Sequence, residues 1–286
     1  MRGPPKRGSV GKLILMDLPV VRPASTVLPL RDVGGLYEVL MLRRSPRSEF
    51  VAGAYVFPGG ALDDADETAA ARVVGWDEPR AKRQGFDDGG LAYVVAGLRE
   101  LFEEAGLLVA RDAAGRPLVL DADLGSRLAE HRARLNDGST TMREVLEAED
   151  LFLDASGLVY LAHWVTPVGP PRRYDTRFFC VRAPSGQWAA NDEAETVDEC
   201  WIRPVDALAA FDEGRFDMVL PTVSTLRSIA DLPSVAAVLA HAREIERVER
   251  VEPRVVERDG ALVVEAPGIE ASMAAPEAWR RGTGPA

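Results

Sequence analysis

The sequence predicts an α/β fold, a mixed sheet sandwiched between helices. Three observations carry this reading. Short apolar runs bounded by Gly, Pro and Asp recur at 24–30, 37–42, 160–166, 177–182 and 197–203, and read as strands. Apolar residues at helical spacing fall between and around them, at 89–105, 122–135, 141–150, 204–213 and 233–250. A chain of 286 residues with 47% hydrophobic composition can bury the core of one large domain with insertions.

The elements follow in order. Strands at 24–30 and 37–42 flank a turn at Asp32–Gly35. Val51–Phe57 is a third strand and runs into the glycine loop Phe57-Pro58-Gly59-Gly60. Residues 66–88 mix charge, small residues and isolated apolars, which reads as a loop with a short helix. The helix at 89–105 carries a core-facing stripe of Leu91, Val94, Val95, Leu98, Leu101, Phe102 and Ala105. Asp87 or Asp88 can cap its start, and Gly106 is placed to end it in a left-handed conformation. Short extended pieces at 107–109 and 117–120 surround Gly115. Thr141-Met142-Arg143-Glu144 is a capping box that opens a helix. Pro233 opens the last and longest helix expected, at 233–250. Arg254–Glu257 and Ala261–Glu265 flank Asp259-Gly260, a two-residue hairpin signal. An isolated hairpin is marginal in water, so it is expected to pack on this chain or on a second copy, and a homodimer is one possible arrangement. The chain thus divides into an N-terminal extension at 1–21, a domain at 22–250 and a C-terminal hairpin and tail at 251–286.

The helix at 89–105 also carries the chemistry. Glu100, Glu103 and Glu104 stand at i, i+3 and i+4, so three carboxylates share one face. Arg99 reaches Glu103 at i+4, yet one cation cannot balance three anions. A divalent metal is the simplest missing partner, and oxygen-only ligands point to Mg²⁺ or Mn²⁺. A solvated acidic face is the competing reading. The glycine loop upstream argues against it, because Gly59 and Gly60 let the backbone approach a metal or phosphate closely.

These residues resemble the box of Nudix hydrolases, G-x5-E-x7-R-E-U-x-E-E-x-G-U with U aliphatic. Arg99, Glu100, Leu101, Glu103, Glu104, Gly106 and Leu107 match its second half, and Gly60 begins its first half. Asp66 fills the acidic position, and an insertion at about 67–90 separates the halves. A split box resembles the mammalian peroxisomal coenzyme A diphosphatases and their bacterial relatives. The stretches Phe50–Gly60, Trp164–Phe179 and Trp201–Pro204 resemble that subgroup too, and the likeness spans roughly residues 22–250. It implies a Nudix α/β/α sandwich and a metal-dependent hydrolase of a nucleoside diphosphate linked to another group. Coenzyme A or acyl-coenzyme A is the favoured substrate, with ADP-ribose or a dinucleotide next. Metal would sit at Glu100, Glu103, Glu104 and Gly60, with Arg99 positioning a glutamate. The coenzyme A pattern ahead of the box is matched by Leu40, Leu42, Arg44, Ser45, Gly53 and Phe57–Gly60, while its second arginine is Glu49 here. Arg44 and Gly59 are therefore candidate substrate contacts. So are Arg172 and Arg173, which follow two stiffening prolines and offer two guanidiniums to phosphates. The segment Pro170–Asp175 and the insertion are expected to border the pocket. Nudix enzymes often take a further acid from beyond the box, and Asp192, Glu193 or Glu195 can supply it.

Composition narrows the function classes. A net charge of −11 argues against general binding to nucleic acid or anionic membrane. It leaves room for one nucleotide held by metal and local arginines. Cys180 and Cys200 form no C-x-x-C pair and are too few for a disulfide framework, which fits the cytoplasm. His131, His163 and His241 are scattered. The apolar run Leu13–Met16 is too short to span a membrane. No G-x-S-x-G elbow, P-loop or dinucleotide fingerprint is present. A nucleotide-sensing module without turnover is the alternative from another class, and retention of all three glutamates argues against it.

Overall fold

The first two strands, β1 (Val21–Val33) and β2 (Leu36–Arg44), turn through Gly34-Gly35. Both glycines have positive φ, the backbone a two-residue hairpin turn requires. In this computed structural model, residues 19–47, 52–87, 89–190, 196–269 and 272–275 are described. The hairpin is registered from Val33↔Leu36 to Leu30↔Val39. Beyond that point two short strands fill a split between β1 and β2. β3 (Tyr55–Val56) pairs with β2, and β4 (Gly59–Ala61) pairs with β1. The glycine stretch expected as a loop is thus a ledge bonded to the sheet, with Val27 N–H also donating to the Pro58 carbonyl at 2.9 Å.

The insertion is folded throughout its described residues. It comprises α1 (Asp64–Ala69), a 3₁₀ turn at Ala70–Arg72, β5 (Val73–Val74) and α2 (Glu78–Arg83). Trp76, Ala81 and Phe86 bury their side chains in the same core as the helix that follows, α3 (Gly90–Ala105). The short helix expected in a loop is thus two short helices with a strand between them, and hydrophobic burial at these positions orders the segment. After β6 (Ala110–Asp112) come α4 (Ala122–Asn136) and α5 (Met142–Ala148), the latter opened by the Thr141–Glu144 capping box. β7 (Leu151–Asp154) joins β5 and β6 in a small three-stranded sheet.

The main sheet is completed by β8 (Val159–Val165), β9 (Arg173–Arg182) and β10 (Thr196–Ile202). α6 (Pro204–Asp212), α7 (Leu220–Ile229) and α8 (Val235–Glu244) follow. β11 (Arg250–Val251) then adds to the edge, giving the order β10-β2-β1-β9-β8-β11. β1–β9 and β8–β11 are parallel and the other pairs antiparallel, so the sheet is mixed as expected. Helix α7 has no counterpart in the sequence reading. The helix expected at 233–250 is shorter: Ser234 caps it by accepting from Ala237 N–H at 3.2 Å, and the chain leaves it after Glu244 to form β11.

Helices cover both faces. α3, α5 and the insertion pack one face through Val27, Leu40, Leu42, Leu98, Leu101 and Phe179. α6, α7 and α8 pack the other through Leu28, Met41, Phe178, Val223, Leu226 and Val238. The hairpin forms as expected, β12 (Arg254–Arg258) and β13 (Ala261–Glu265) turning at Asp259-Gly260, and β14 (Ser272–Ala274) makes it three strands. Val264 and Ala266 join the second core, so the hairpin packs on its own chain. No helix among the described residues is long and apolar enough to cross a membrane.

Candidate active site

Helix α3 begins at an uncommon cap. Gly89 has φ 84°, a left-handed conformation from which no side chain caps the helix. The expected cap by Asp87 is therefore absent, and Asp88 lies outside the described residues. Instead, Glu78 of α2 accepts the Leu91 N–H at 3.3 Å. The C-terminus is as expected: Gly106, φ 69°, returns its N–H to the Phe102 carbonyl.

The acidic face of α3 is covered. Glu104 is only 4% exposed, and its Oε2 accepts a 2.8 Å hydrogen bond from the Gly59 N–H on the β4 ledge. A Cβ at Gly60 would overlap the Glu100 carboxylate, and one at Gly59 would overlap Thr26 and the Ser25 carbonyl. One turn earlier, Gly97 lets β1 approach, since a Cβ there would meet Ser25 Oγ and a Val27 methyl. The room left by Gly97 is thus filled by β1. Gly97, Glu100 and Glu104 lie along one line of the helix, and the β1–β4 ledge packs against it.

Arg99 organises the opposite edge of this face. Its Nε and Nη2 donate to Asp66 at 2.8 and 3.1 Å, and its Nη1 donates to Glu100 and Glu103, each at 2.8 Å. Nη2 also donates to the Ala61 carbonyl, which ties the helix to the ledge. Burial disfavours the guanidinium's charge, but Asp66, Glu100 and Glu103 outweigh it and raise the pKa above its ordinary value. Burial pushes Glu103 up, with Arg99 partly offsetting the shift. Asp66 is 1% exposed and also accepts the Asp63 N–H, completing the capping box of α1. The box position read from sequence as an acid is therefore an orienting group for Arg99. One guanidinium shared among three carboxylates leaves the site anionic.

The residues fit a hard divalent cation, though not as the three-glutamate cage expected. Among the described residues no three His, Cys, Asp or Glu side chains converge as a metal cage. Arg99 donates equally to Glu100 and Glu103, and Glu100 also lies against the ledge, its carboxylate packed on Gly60. Glu100 and Glu104, braced on the glycine ledge, form an oxygen-only donor set. Mg²⁺ and Mn²⁺ suit such a site, since Mg²⁺ is commonly held by one or two carboxylates with water and substrate phosphate completing the shell.

The remaining candidates fall in different places. By strand alternation Arg44 stands with Leu40 and Leu42 on the face that carries α3. Arg172 is exposed. Arg173 is 6% exposed and turned inward, donating from Nε to the Thr166 and Pro167 carbonyls and from Nη2 to Glu252. That corrects the expected two-arginine clamp, because the Arg173 fork is engaged with its own chain. The insertion meets the site at one end. Asp66 touches Arg99, whereas Gly90 begins α3 ten residues before Glu100, about 15 Å along the helix. Asp192, Glu193 and Glu195 lie outside the described residues.

The chain is similar to known proteins in sequence and in fold. The NUDT19 Nudix domain family matches residues 76–229. The acyl-coenzyme A diphosphatase NUDT19 of Homo sapiens is 27% identical over 310 residues, covering 94% of this chain and 82% of that protein. Its counterpart in Gallus gallus is 26% identical over 82% of this chain and 72% of its own. A crystal structure of a Nudix hydrolase from Alicyclobacillus acidocaldarius superposes with a TM-score of 0.65 at 29% identity, covering 78% of this chain and 96% of that one. With the box helix, its buried arginine and the glycine ledge in place, the chain belongs to the NUDT19 Nudix domain family.

Proposed function

We propose that the protein is a metal-dependent diphosphatase that hydrolyses the diphosphate of acyl-coenzyme A or coenzyme A, with Mg²⁺ or Mn²⁺ as its cation. The observation that carries this reading is the Glu104 carboxylate, buried and fixed by the Gly59 N–H beside Glu100, in a chain whose curated relatives are named acyl-coenzyme A diphosphatases. Glu100, Glu104 and the Gly60 backbone would hold the cation, which when bound neutralises phosphate charge and lowers the pKa of the attacking water. Arg99 holds the Glu100 and Glu103 carboxylates through its Nη1. The Gly59 N–H fixes Glu104 Oε2 against the ledge. Water adds to one phosphorus, the bridging P–O bond breaks, and two phosphate monoesters leave. Arg44, on the α3 side of β2, is suited to contact the substrate's phosphates. The protein's two cysteines are free thiols, in keeping with work in the cytoplasm.

The test is a comparison of kcat/KM for acyl-coenzyme A, coenzyme A, ADP-ribose, NADH and dinucleoside polyphosphates with Mg²⁺ and with Mn²⁺. Acyl-coenzyme A or coenzyme A is expected to lead, with activity lost in EDTA. A higher kcat/KM for ADP-ribose or a dinucleotide would reassign the substrate, and full activity in EDTA would remove the metal.

A further inference from the structure

We infer that Arg132 on α4 and Gln187 on the segment after β9 are positioning residues that lock the last turn of α3, and with it the proposed metal ligand Glu104, in place for metal. This rests on the diphosphatase reading above. A helix leaves its last four carbonyls without intrahelical partners, and its final turn is where it frays. In α3 that turn holds two of the box glutamates. It is capped from outside by two distant parts of the chain. Arg132 Nε donates to the Glu103 carbonyl at 2.8 Å, and its Nη2 donates to the Ala190 carbonyl at 2.8 Å. The Ala190 N–H returns to the Ala105 carbonyl at 3.0 Å. The side-chain amide of Gln187 pairs with both backbone groups of Leu108, accepting from its N–H at 2.8 Å and donating to its carbonyl at 3.0 Å.

One guanidinium thus joins the helix end to the 187–190 segment, while Gln187 copies a strand pairing two residues past the Gly106 cap. Glycine suits this contact: its φ of 69° is left-handed, and a Cβ at residue 106 would crowd Arg132 Nη1 at 3.1 Å. The positive charge also lies at the negative end of the helix dipole, where a cation is favoured. The box glutamates of the last turn are therefore held through their own backbone, independently of the Arg99 and Gly59 contacts to their side chains.

The test uses the full chain as wild type, Arg132→Ala, Arg132→Lys, Gln187→Ala and Glu104→Gln. Mn²⁺ binding is read by electron paramagnetic resonance of the free ion, and backbone hydrogen exchange is compared between 103–109 and 92–98. Arg132→Ala and Gln187→Ala are each expected to weaken Mn²⁺ by about tenfold or more, the effect typical of losing an outer-shell orienting group. Exchange should quicken at 103–109 and stay unchanged at 92–98, and saturating Mn²⁺ should restore most of kcat. Arg132→Lys should recover part of the affinity, because an ammonium can serve one carbonyl but lacks the fork for two. Wild-type Mn²⁺ affinity in folded Arg132→Ala and Gln187→Ala, or exchange that rises equally in both segments, overturns the inference. Gln187→Ala decides the question if Arg132→Ala does not fold. Glu104→Gln separates the two levels. If it binds Mn²⁺ as wild type does, the metal reading itself fails and the inference with it. If it weakens binding while the Arg132 and Gln187 variants do not, only the inference fails.

Discussion

The Gly59 N–H donates a 2.8 Å hydrogen bond to Glu104 Oε2, joining a strand ledge to a helix 45 residues further along the chain. The bond forms because residue 59 lacks a side chain and can lie flush on β1, with Thr26 and Ser25 immediately beneath. It holds a carboxylate that is almost wholly buried. Charge buried to this degree calls for balance, and the divalent cation proposed for the site would supply it.

Glu104→Gln tests that need directly. A glutamine oxygen can still accept from Gly59, so the packing should survive while the charge is lost. The kcat is expected to fall by about two to four decades, the range for losing a positioned acid–base or metal-binding group. Thermal unfolding should change little, or shift upward as a buried charge is removed. A drop in kcat accompanied by global destabilisation would instead point to a structural role.

Gly60→Ala probes the other side of the ledge. The added methyl would overlap the Glu100 carboxylate, a flexible group that can swing away. The fold is therefore expected to persist while Glu100 leaves its place beside Arg99, and activity should drop by about tenfold or more, as for a displaced metal-ligand shell. Gly59→Ala should behave differently. Its methyl would meet backbone atoms of β1 that cannot yield cheaply, so it should cost about 1–3 kcal/mol of stability as an overpacked site does. Paired measurements of Tm and kcat distinguish the two outcomes.

Much of this site is legible in the sequence because it is local. The i, i+3, i+4 glutamates, the Arg99 to Glu103 spacing and the Gly106 stop all lie within one helix, whose periodicity fixes which residues share a face. The Asp259-Gly260 hairpin is legible for the same reason. What escapes is set by long-range pairing. Nothing near Gly59 says that it will hydrogen bond to β1 and not simply turn. Trp76 and Phe86 stand isolated in a polar stretch, and rings distant in sequence, Phe179 and Tyr160 among them, help make them core. Arg173 looks the same as Arg172 in sequence, and what buries Arg173 is its bonds to the Thr166 and Pro167 carbonyls and to Glu252. Helix α7 lacks a side-chain cap and follows an apolar run, so its start gives little local signal beyond Pro221.

Phe86 is the residue whose loss should reveal the insertion as structure. Its ring packs against Trp76, Tyr93, Tyr160 and Phe179, and the Arg177 guanidinium lies 5.4 Å from its centroid. Phe86→Ala is expected to cost about 3–5 kcal/mol, the usual penalty for emptying a buried aromatic site. Denaturant unfolding checks this. A cost below about 1 kcal/mol would mean that the insertion moves independently of the core.

Stability should also depend on pH through His163 and Asp175. Their side chains approach to 2.7 Å, and Arg177 donates to the same Asp175 oxygen at 2.8 Å. Burial lowers the His163 pKa below its ordinary value of 6.5, and the Asp175 hydrogen bond only partly opposes this. The unfolded chain therefore binds a proton at this residue before the folded one does. The stability it confers is present above about pH 6.5 and is lost as pH falls through the folded value. For Asp175, burial works to raise the pKa, but the His163 hydrogen bond and Arg177 outweigh it and hold the group below its ordinary value of 3.8. Its contribution is present above that range and is lost at lower pH still. Denaturant midpoints measured from pH 8 to 4 should fall on acidification, and His163→Asn should flatten the upper part of that slope. An unchanged slope in the variant would show that another group carries it.

Arg173 sets the last expectation, because sequence and structure assign it different work. It pairs with Val21 on β1, four residues before Ser25, whose other neighbour is Gly60. That places it about 13 Å along the strand from the ledge. Its guanidinium serves the Thr166 and Pro167 carbonyls and the Glu252 carboxylate, so it clips the turn before β9 to the chain leaving β11. Arg173→Ala would strand those carbonyls and uncouple Glu252, at a cost of about 2 kcal/mol or more, since a charge-assisted hydrogen bond alone contributes roughly 1.5–3 kcal/mol. The KM for the best substrate should stay at the wild-type value under conditions where the variant is folded. Arg172→Ala, at an exposed position next door, should leave stability unchanged and is the variant in which a KM effect is expected if this segment reaches the phosphates. A KM raised by Arg173→Ala with unchanged Tm would return the residue to the substrate clamp that its sequence position suggests.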